Sequence, residues 1–215
     1  MSDPKLPAAV LWDMDGTLID TTPLWFDAEA AIVEVFGGAW GREESVAVMG
    51  KGLSEITRAL QEHGVTTTSS EIISWQTDFV LERLVAPLPW RPGALELLRA
   101  LRDDGVPTAL VTTATRRTAA AVTAAMPFDG FDLIVAGDEV ERSKPDPEGY
   151  LRAAKLLGVD ITACVVLEDS LPGLTAGAAS GAAVVGIPHH AALPDGAWRL
   201  WSTLEGRSPA DLAIL

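Results

Sequence analysis

The sequence predicts an α/β protein, a parallel sheet covered by helices on both faces and interrupted near its start by an all-helical insertion. Three observations carry this. After residue 93, short apolar runs rich in Val, Leu and Ile alternate with amphipathic helical stretches, the pattern of strands buried on both sides. From about Thr22 to Trp90 the periodicity is helical only. Ahead of that segment stands one isolated apolar run, residues 8–12, which reads as a strand of the later sheet.

The strand at 8–12 (Ala-Ala-Val-Leu-Trp) stops abruptly at Asp13-Met14-Asp15-Gly16-Thr17. A helix follows, with Pro23 in its first turn and Leu24, Trp25, Ala28, Ile32 and Val35 at helical spacing, ended by Gly37-Gly38. Two more helical stretches are expected at 53–63 and 71–85, the second with a stripe of Ile72, Trp75, Phe79 and Leu84. Pro87, Pro89, Pro92 and Gly93 then make a stiff connection. Beyond it come helix 93–103, strand 107–111, helix 116–125, strand 131–135, helix 147–157, strand 163–167, helix 171–179 and strand 182–186. The domain division expected is therefore residues 1–21 with 92–215 as a Rossmann-like core, and 22–91 as the inserted helical domain.

Totals narrow the function. A chain of 215 residues can bury a full core, and its formal charge of −14 excludes general affinity for nucleic acid or an anionic membrane. An anionic ligand must then meet a local positive site. Asp3 and Lys5 precede an apolar run too short for a signal peptide or a span, and the uncharged stretch 170–194 is broken by prolines and glycines. Cys164, the single cysteine, cannot form an internal disulfide and reads as a buried thiol, so a cytoplasmic location is expected. Monomer and homodimer both fit.

Two carboxylates two residues apart at the end of a buried strand are unstable unless something positive sits with them. Open parallel sheets bind ligands at the carboxyl ends of their strands, so polar residues should follow the other strands too. They do: Thr112-Thr113, Ser143-Lys144-Pro145 and Glu168-Asp169. Singly, each has an ordinary reading: Thr112 as a helix cap, Lys144 as a solvated charge, Glu168-Asp169-Ser170 as a helix start. Their convergence on one sheet edge favours a site.

With these motifs in this order the sequence resembles the haloacid dehalogenase superfamily, in its phosphatase-like branch with a helical cap, similar to β-phosphoglucomutase and the sugar phosphatases. The resemblance covers nearly the whole chain. It implies Asp13 as a nucleophile that forms an aspartyl-phosphate, Asp15 as acid/base, and Thr112 and Lys144 as holders of phosphoryl oxygens, with Lys144 also offsetting the clustered carboxylates. It implies Mg²⁺ held by Asp13, the Asp15 backbone carbonyl, Asp169 and, directly or through water, Glu168, a hard oxygen set. Gly16, Thr17 and Thr113 are expected beside the substrate. Lys51, between Gly50 and Gly52, is a further candidate for substrate contact, offset from the Schiff-base lysine position of phosphonate-cleaving relatives. Asp15 separates the classes, because dehalogenases and phosphonate hydrolases lack the second carboxylate. An Asp of ordinary pKa is only ~0.1% protonated at pH 7, so acid catalysis needs that pKa raised.

The expected activity is Mg²⁺-dependent hydrolysis of a small phosphate monoester, a sugar phosphate or short phosphorylated acid. The alternatives are a phosphomutase or a phosphonate hydrolase. A non-catalytic binding protein is disfavoured by the intact motif positions. The tryptophans of the helical segment read as its core, and His63, His189 and His190 lie outside the motifs, the last two as a solvated loop pair.

Overall fold

A computed structural model describes residues 6–213, so Asp3 and Lys5 lie outside the described residues. Strand β1 (Ala9–Trp12) is completely buried, as a central strand covered on both faces must be. It lies between β2 (Thr108–Val111) and β4 (Cys164–Glu168), with β3 (Leu133–Val135) outside β2 and β5 (Ala183–Gly186) outside β4. A two-residue edge strand, β6 (Arg199–Leu200), completes the order β3-β2-β1-β4-β5-β6, and every pair is parallel. The edge strand is absent from the sequence reading because two exposed residues show no alternation.

Alternation along the strands sorts two hydrophobic layers. Val10 and Trp12 join Leu110, Val165 and Leu167 against α5 (Ala94–Asp103) and α6 (Arg116–Ala124). Ala9 and Leu11 join Ala109, Val111 and Val166 against α7 (Glu148–Leu157) and α8 (Leu171–Ser180). Each large side chain so buried contributes about 1.5–3 kcal/mol. Cys164 sits in the second layer, its thiol on the Asp160 carbonyl at 3.3 Å and its pKa pushed up to about 11 by burial, a structural thiol as expected.

Strand register then delivers the polar residues to one place. Trp12 pairs with Leu110 and Leu167, so Asp13 emerges level with Val111 and Glu168. The chain runs β1 to β3 on one side and resumes with β4 on the other, so the order reverses beside β1, where such sheets open a crevice.

The helical segment comprises α1 (Thr22–Val35), α2 (Arg42–Val48), α3 (Leu53–Glu62) and α4 (Ser69–Arg83). Ile32, Val33, Leu60, Val65 and Ile72, with Trp40, Ile56 and Trp75 against them, form a hydrophobic cluster separate from those of the sheet. Helix α2 departs from the sequence reading: at seven residues, with only Ser45 and Val48 buried, it shows no periodic stripe. Helix α4 starts earlier than expected because Thr68 and Glu71 form a capping box. Two expected stripes also shift. Val35 is 72% exposed while Glu29 and Val33 are buried, and on α4 the buried row is Ile72, Gln76, Thr77 and Val80. Trp75 and Phe79 instead stack on each other, 5.2 Å between centroids. Polar groups occupy buried faces here because those faces look onto the sheet edge.

The two connections run side by side. Ile19 bridges Trp90, the Asp20 amide donates to the Pro89 carbonyl at 2.8 Å, and the Arg91 amide donates to the Leu18 carbonyl at 3.0 Å. Among the described residues no helix is long and apolar enough to cross a membrane.

Candidate active site

Lys144 organises the acidic edge. Its ammonium is buried and donates to Asp13 Oδ1 at 2.6 Å, Glu168 Oε1 at 2.7 Å and the Val111 carbonyl at 3.0 Å. Three protons meet three acceptors. Burial alone lowers its pKa, but Asp13 and Glu168 reverse this and hold it above the usual lysine range. Of the two tasks expected of Lys144, the structure displays the counter-charge of the clustered carboxylates.

Glu168 is fully enclosed. Besides Lys144, Oε1 accepts from the Tyr150 hydroxyl at 2.7 Å, and Oε2 accepts from the Asp169 amide at 3.1 Å and from the Ser170 hydroxyl at 3.1 Å. Both oxygens are satisfied by the protein, which makes Glu168 a brace for Lys144 and for the start of α8. Tyr150, which the sequence reading missed, is the chain's single tyrosine and lies on the apolar stripe of α7, where only its hydroxyl marks it out.

Asp13 and Asp169 are different. Each keeps one buried carboxylate oxygen, Oδ2, without a hydrogen-bond partner. Asp13, Glu168 and Asp169 offer oxygens that all lie within 4.8 Å of one another, and burial raises the pKa of Asp13 and of Asp169, with the neighbouring carboxylates adding to the effect against Lys144. Three carboxylates facing one ammonium leave an uncompensated negative charge. A hard divalent cation fits this donor set, since it takes oxygen ligands and supplies the missing charge. Gly16, at φ +92°, explains how the set closes: a Cβ there would stand 2.0 Å from Asp169 Oδ2.

Asp15 faces the same cavity but belongs to another network. Its Oδ1 accepts from the Thr21 hydroxyl and, at 2.7 Å, from the Trp25 indole nitrogen, and its Oδ2 accepts from the Thr112 hydroxyl at 3.3 Å. Burial raises its pKa, and the three hydrogen bonds do not cancel that. The direction of the shift is the one that favours a protonated carboxyl. Thr112, expected on a phosphoryl oxygen, donates here to Asp15 and accepts from the Ala114 amide at 3.0 Å. Trp25, expected in the core of the helical segment, is a ligand of the acid.

The cavity lies between the sheet edge and the helical segment. On the sheet side Asp13, Asp15, Thr113, Lys144 and Asp169 line it, and Lys51 joins from the α2–α3 loop. Gly16, Thr17 and Thr112 do not; Thr17 is completely buried behind the edge with its hydroxyl unpartnered. The loop carrying Lys51 closes tightly, since a Cβ at Gly50 would meet Ser170 Oγ at 2.6 Å and one at Gly52 would meet Ser143 Cβ at 2.3 Å. From the helical side come Trp25, Phe26, Glu29, Val48, Leu53, Ile56 and Gln76.

His189 and His190 are not the solvated pair expected. Their Nε2 atoms lie 3.0 and 2.7 Å from the Asp20 carboxylate, and Arg91 donates to His189 Nδ1 at 2.7 Å. The group ties the two connections to the loop after β5. With Arg91 on the other ring nitrogen of His189, its charges are balanced without a metal ion.

The haloacid dehalogenase-like hydrolase family profile matches residues 7–181. A phosphorylated carbohydrates phosphatase of Thermotoga maritima is 31% identical over 187 residues, covering 84% of this chain and 85% of that protein. A bifunctional riboflavin kinase/FMN phosphatase of Arabidopsis thaliana is 32% identical over 189 residues, 86% of this chain, and the chain spans about half (49%) of that longer protein. Among solved structures, CbbY of Rhodobacter sphaeroides in complex with xylulose-(1,5)bisphosphate superposes with a TM-score of 0.86 at 28% identity, covering 97% of this chain and 100% of that one. With the four motifs gathered at one sheet edge and the profile spanning most of the sequence, the chain belongs to the haloacid dehalogenase-like hydrolases.

Proposed function

We propose that the chain is a Mg²⁺-dependent phosphatase of a small phosphate monoester, a sugar phosphate or short phosphorylated acid, acting through an aspartyl-phosphate on Asp13. The observation that carries this is the division of labour between the paired acids: Asp13 keeps an unpartnered buried oxygen, and Asp15 is held for proton transfer by Thr21, Trp25 and Thr112. The similarity to a phosphorylated carbohydrates phosphatase supports the substrate class.

Asp13, Asp169 and the Asp15 backbone carbonyl would hold the metal, with Glu168 behind them. When bound, Mg²⁺ offsets the repulsion between the carboxylates and the phosphoryl dianion. The chain's own residues do the rest. An Asp13 oxygen attacks phosphorus while the bond to the leaving oxygen breaks, and Asp15 gives that oxygen its proton. Asp15 then takes a proton from water, whose oxygen attacks the aspartyl-phosphate. The phosphorus–Asp13 bond breaks, releasing phosphate and restoring the carboxylate. Lys144 orients Asp13 and favours its ionised form before the attack and after the phosphate leaves. The segment 22–91 acts as a cap that excludes water, hinged at the paired connections.

The rival readings lack a feature each. Phosphonate cleavage has no use for Asp15. A mutase must grip a second phosphate, and among the described residues Lys51 is the single cation lining the cavity outside the Lys144 cluster. The test is phosphate release from a metabolite panel that includes p-nitrophenyl phosphate, with Mg²⁺ and then with EDTA, alongside trapping of phosphoenzyme. Release that needs Mg²⁺ and a phosphate adduct on Asp13 is expected. Full activity in EDTA, or an adduct on another residue, refutes the proposal.

A further inference from the structure

Glu29 is a carboxylate that the mechanism leaves without a task. It lies on α1, lines the cavity opposite the sheet edge, and is 4% exposed. Its Oε2 accepts from the Trp40 indole at 3.2 Å, and Trp40 in turn donates to Ser45 at 2.8 Å. Among the described residues no Lys, Arg or His is paired with it. Gln76, also 4% exposed, lines the same wall from α4. Around these two the wall is apolar, built from Trp25, Phe26, Leu53 and Ile56. Buried polar side chains that line a cavity without a charged partner suit a ligand that hydrogen-bonds them.

The charge distribution says which ligand. Lys51 sits on the loop that closes against Ser143 and Ser170, at the phosphoryl end of the cavity beside Lys144 and Asp169. Among the described residues the opposite wall holds no cation and one carboxylate. A second phosphate or a carboxylate on the leaving group would face Glu29 with no cation to offset it, and would be repelled by the carboxylate or require it to take up a proton first. A hydroxyl would donate to Glu29 and exchange hydrogen bonds with Gln76, while C–H surfaces rest on Trp25 and Phe26.

We propose that Glu29 and Gln76 read the hydroxyls of an uncharged polyol or sugar leaving group, so that the substrates are monophosphates of neutral polyols rather than bisphosphates or phosphorylated acids. This rests on the phosphatase reading and narrows it. It also sets the chain apart from the CbbY neighbour, whose complex holds a bisphosphate. Burial pushes the Glu29 carboxyl up to about 7, consistent with a group that exchanges hydrogen bonds with hydroxyls and lacks a charged partner.

The experiment compares kcat/KM, with Mg²⁺, for xylitol 5-phosphate, sorbitol 6-phosphate, xylulose 1,5-bisphosphate, phosphoglycolate and p-nitrophenyl phosphate. The better polyol monophosphate should exceed the bisphosphate and phosphoglycolate by about tenfold or more, the scale of discrimination expected of buried hydrogen-bonding groups. In Glu29→Ala its ratio to p-nitrophenyl phosphate should fall by a further factor of about ten, and in Glu29→Gln by less, because the amide still accepts. Wild-type preference for the bisphosphate or phosphoglycolate overturns the inference without any variant. So does an unchanged ratio in both variants, shown folded by circular dichroism. Either result with p-nitrophenyl phosphate still hydrolysed leaves the phosphatase reading standing, whereas no phosphate from any ester overturns both.

Discussion

Replacing Glu29 by Gln should change how the stability of the protein depends on pH, with a sign and size set by its surroundings. Its carboxyl moves from an ordinary 4.5 to about 7 on folding, because burial opposes ionisation and no cation compensates. Between those values the folded chain keeps a proton that the unfolded chain has released. Stability from this group therefore falls as pH rises from about 4.5 to about 7 and is flat above. A difference of about 2.5 units at about 1.36 kcal/mol each is about 3 kcal/mol. Gln cannot ionise and keeps an oxygen for Trp40. Urea unfolding of both proteins at pH 5, 6, 7 and 8, without Mg²⁺ or phosphate and followed by tryptophan fluorescence, isolates the effect, since every other titrating group cancels in the difference. The stability of Glu29→Gln relative to wild type should rise by about 2–3 kcal/mol from pH 5 to pH 8. A difference that stays level across that range would refute the claim that Glu29 is buried without a counter-charge.

Two further outcomes follow from the sheet edge. Lys144→Met leaves Asp13 and Glu168 buried without their ammonium, and it should cost about 3–5 kcal/mol in urea unfolding at pH 7 and abolish phosphate release. A variant as stable as wild type would show that the carboxylates are not held by this ion pair. Trp25→Phe removes the 2.7 Å donor to Asp15 while keeping an aromatic ring, so kcat should fall about tenfold with KM within about twofold. A change confined to KM would make Trp25 a binding residue only.

The sheet and its acidic edge were legible because they rest on local contrast. An uninterrupted apolar run ending in Asp13-Met14-Asp15 can be seen without knowing what lies opposite, and the same holds for Thr112 after β2 and Glu168-Asp169 after β4. Partnership was not legible. That Lys144 would turn all three protons inward, or that Thr112 would serve Asp15, depends on distances between strands that register alone fixes. Glu29 was missed for a related reason. Four residues after Trp25, it shares a helical face with that residue, and a charged position on such a face reads as solvated unless a cavity is known to lie there. One signal was present: the apolar row of α1 is broken by an acid between Trp25 and Ile32. Asp20 and the two histidines stand about 170 residues apart, beyond any periodic pattern.

The contacts of Asp15 tie these parts into one device. Its backbone belongs to the sheet edge, yet two of its three donors, Thr21 and Trp25, come from the connection and the first helix of the inserted segment. That segment also touches the sheet at Gly50 and Gly52, and through Thr77, whose hydroxyl lies 3.4 Å from Thr115. Asp15 is therefore oriented from the helical side and Asp13 from the sheet side, by Lys144. A movement of the segment that breaks the Trp25 contact would leave Asp13 braced but Asp15 without one of its orienting donors. On the proposed mechanism, acid catalysis is then coupled to closure, so that leaving-group protonation is best supported when the wall bearing Glu29 and Gln76 is in place.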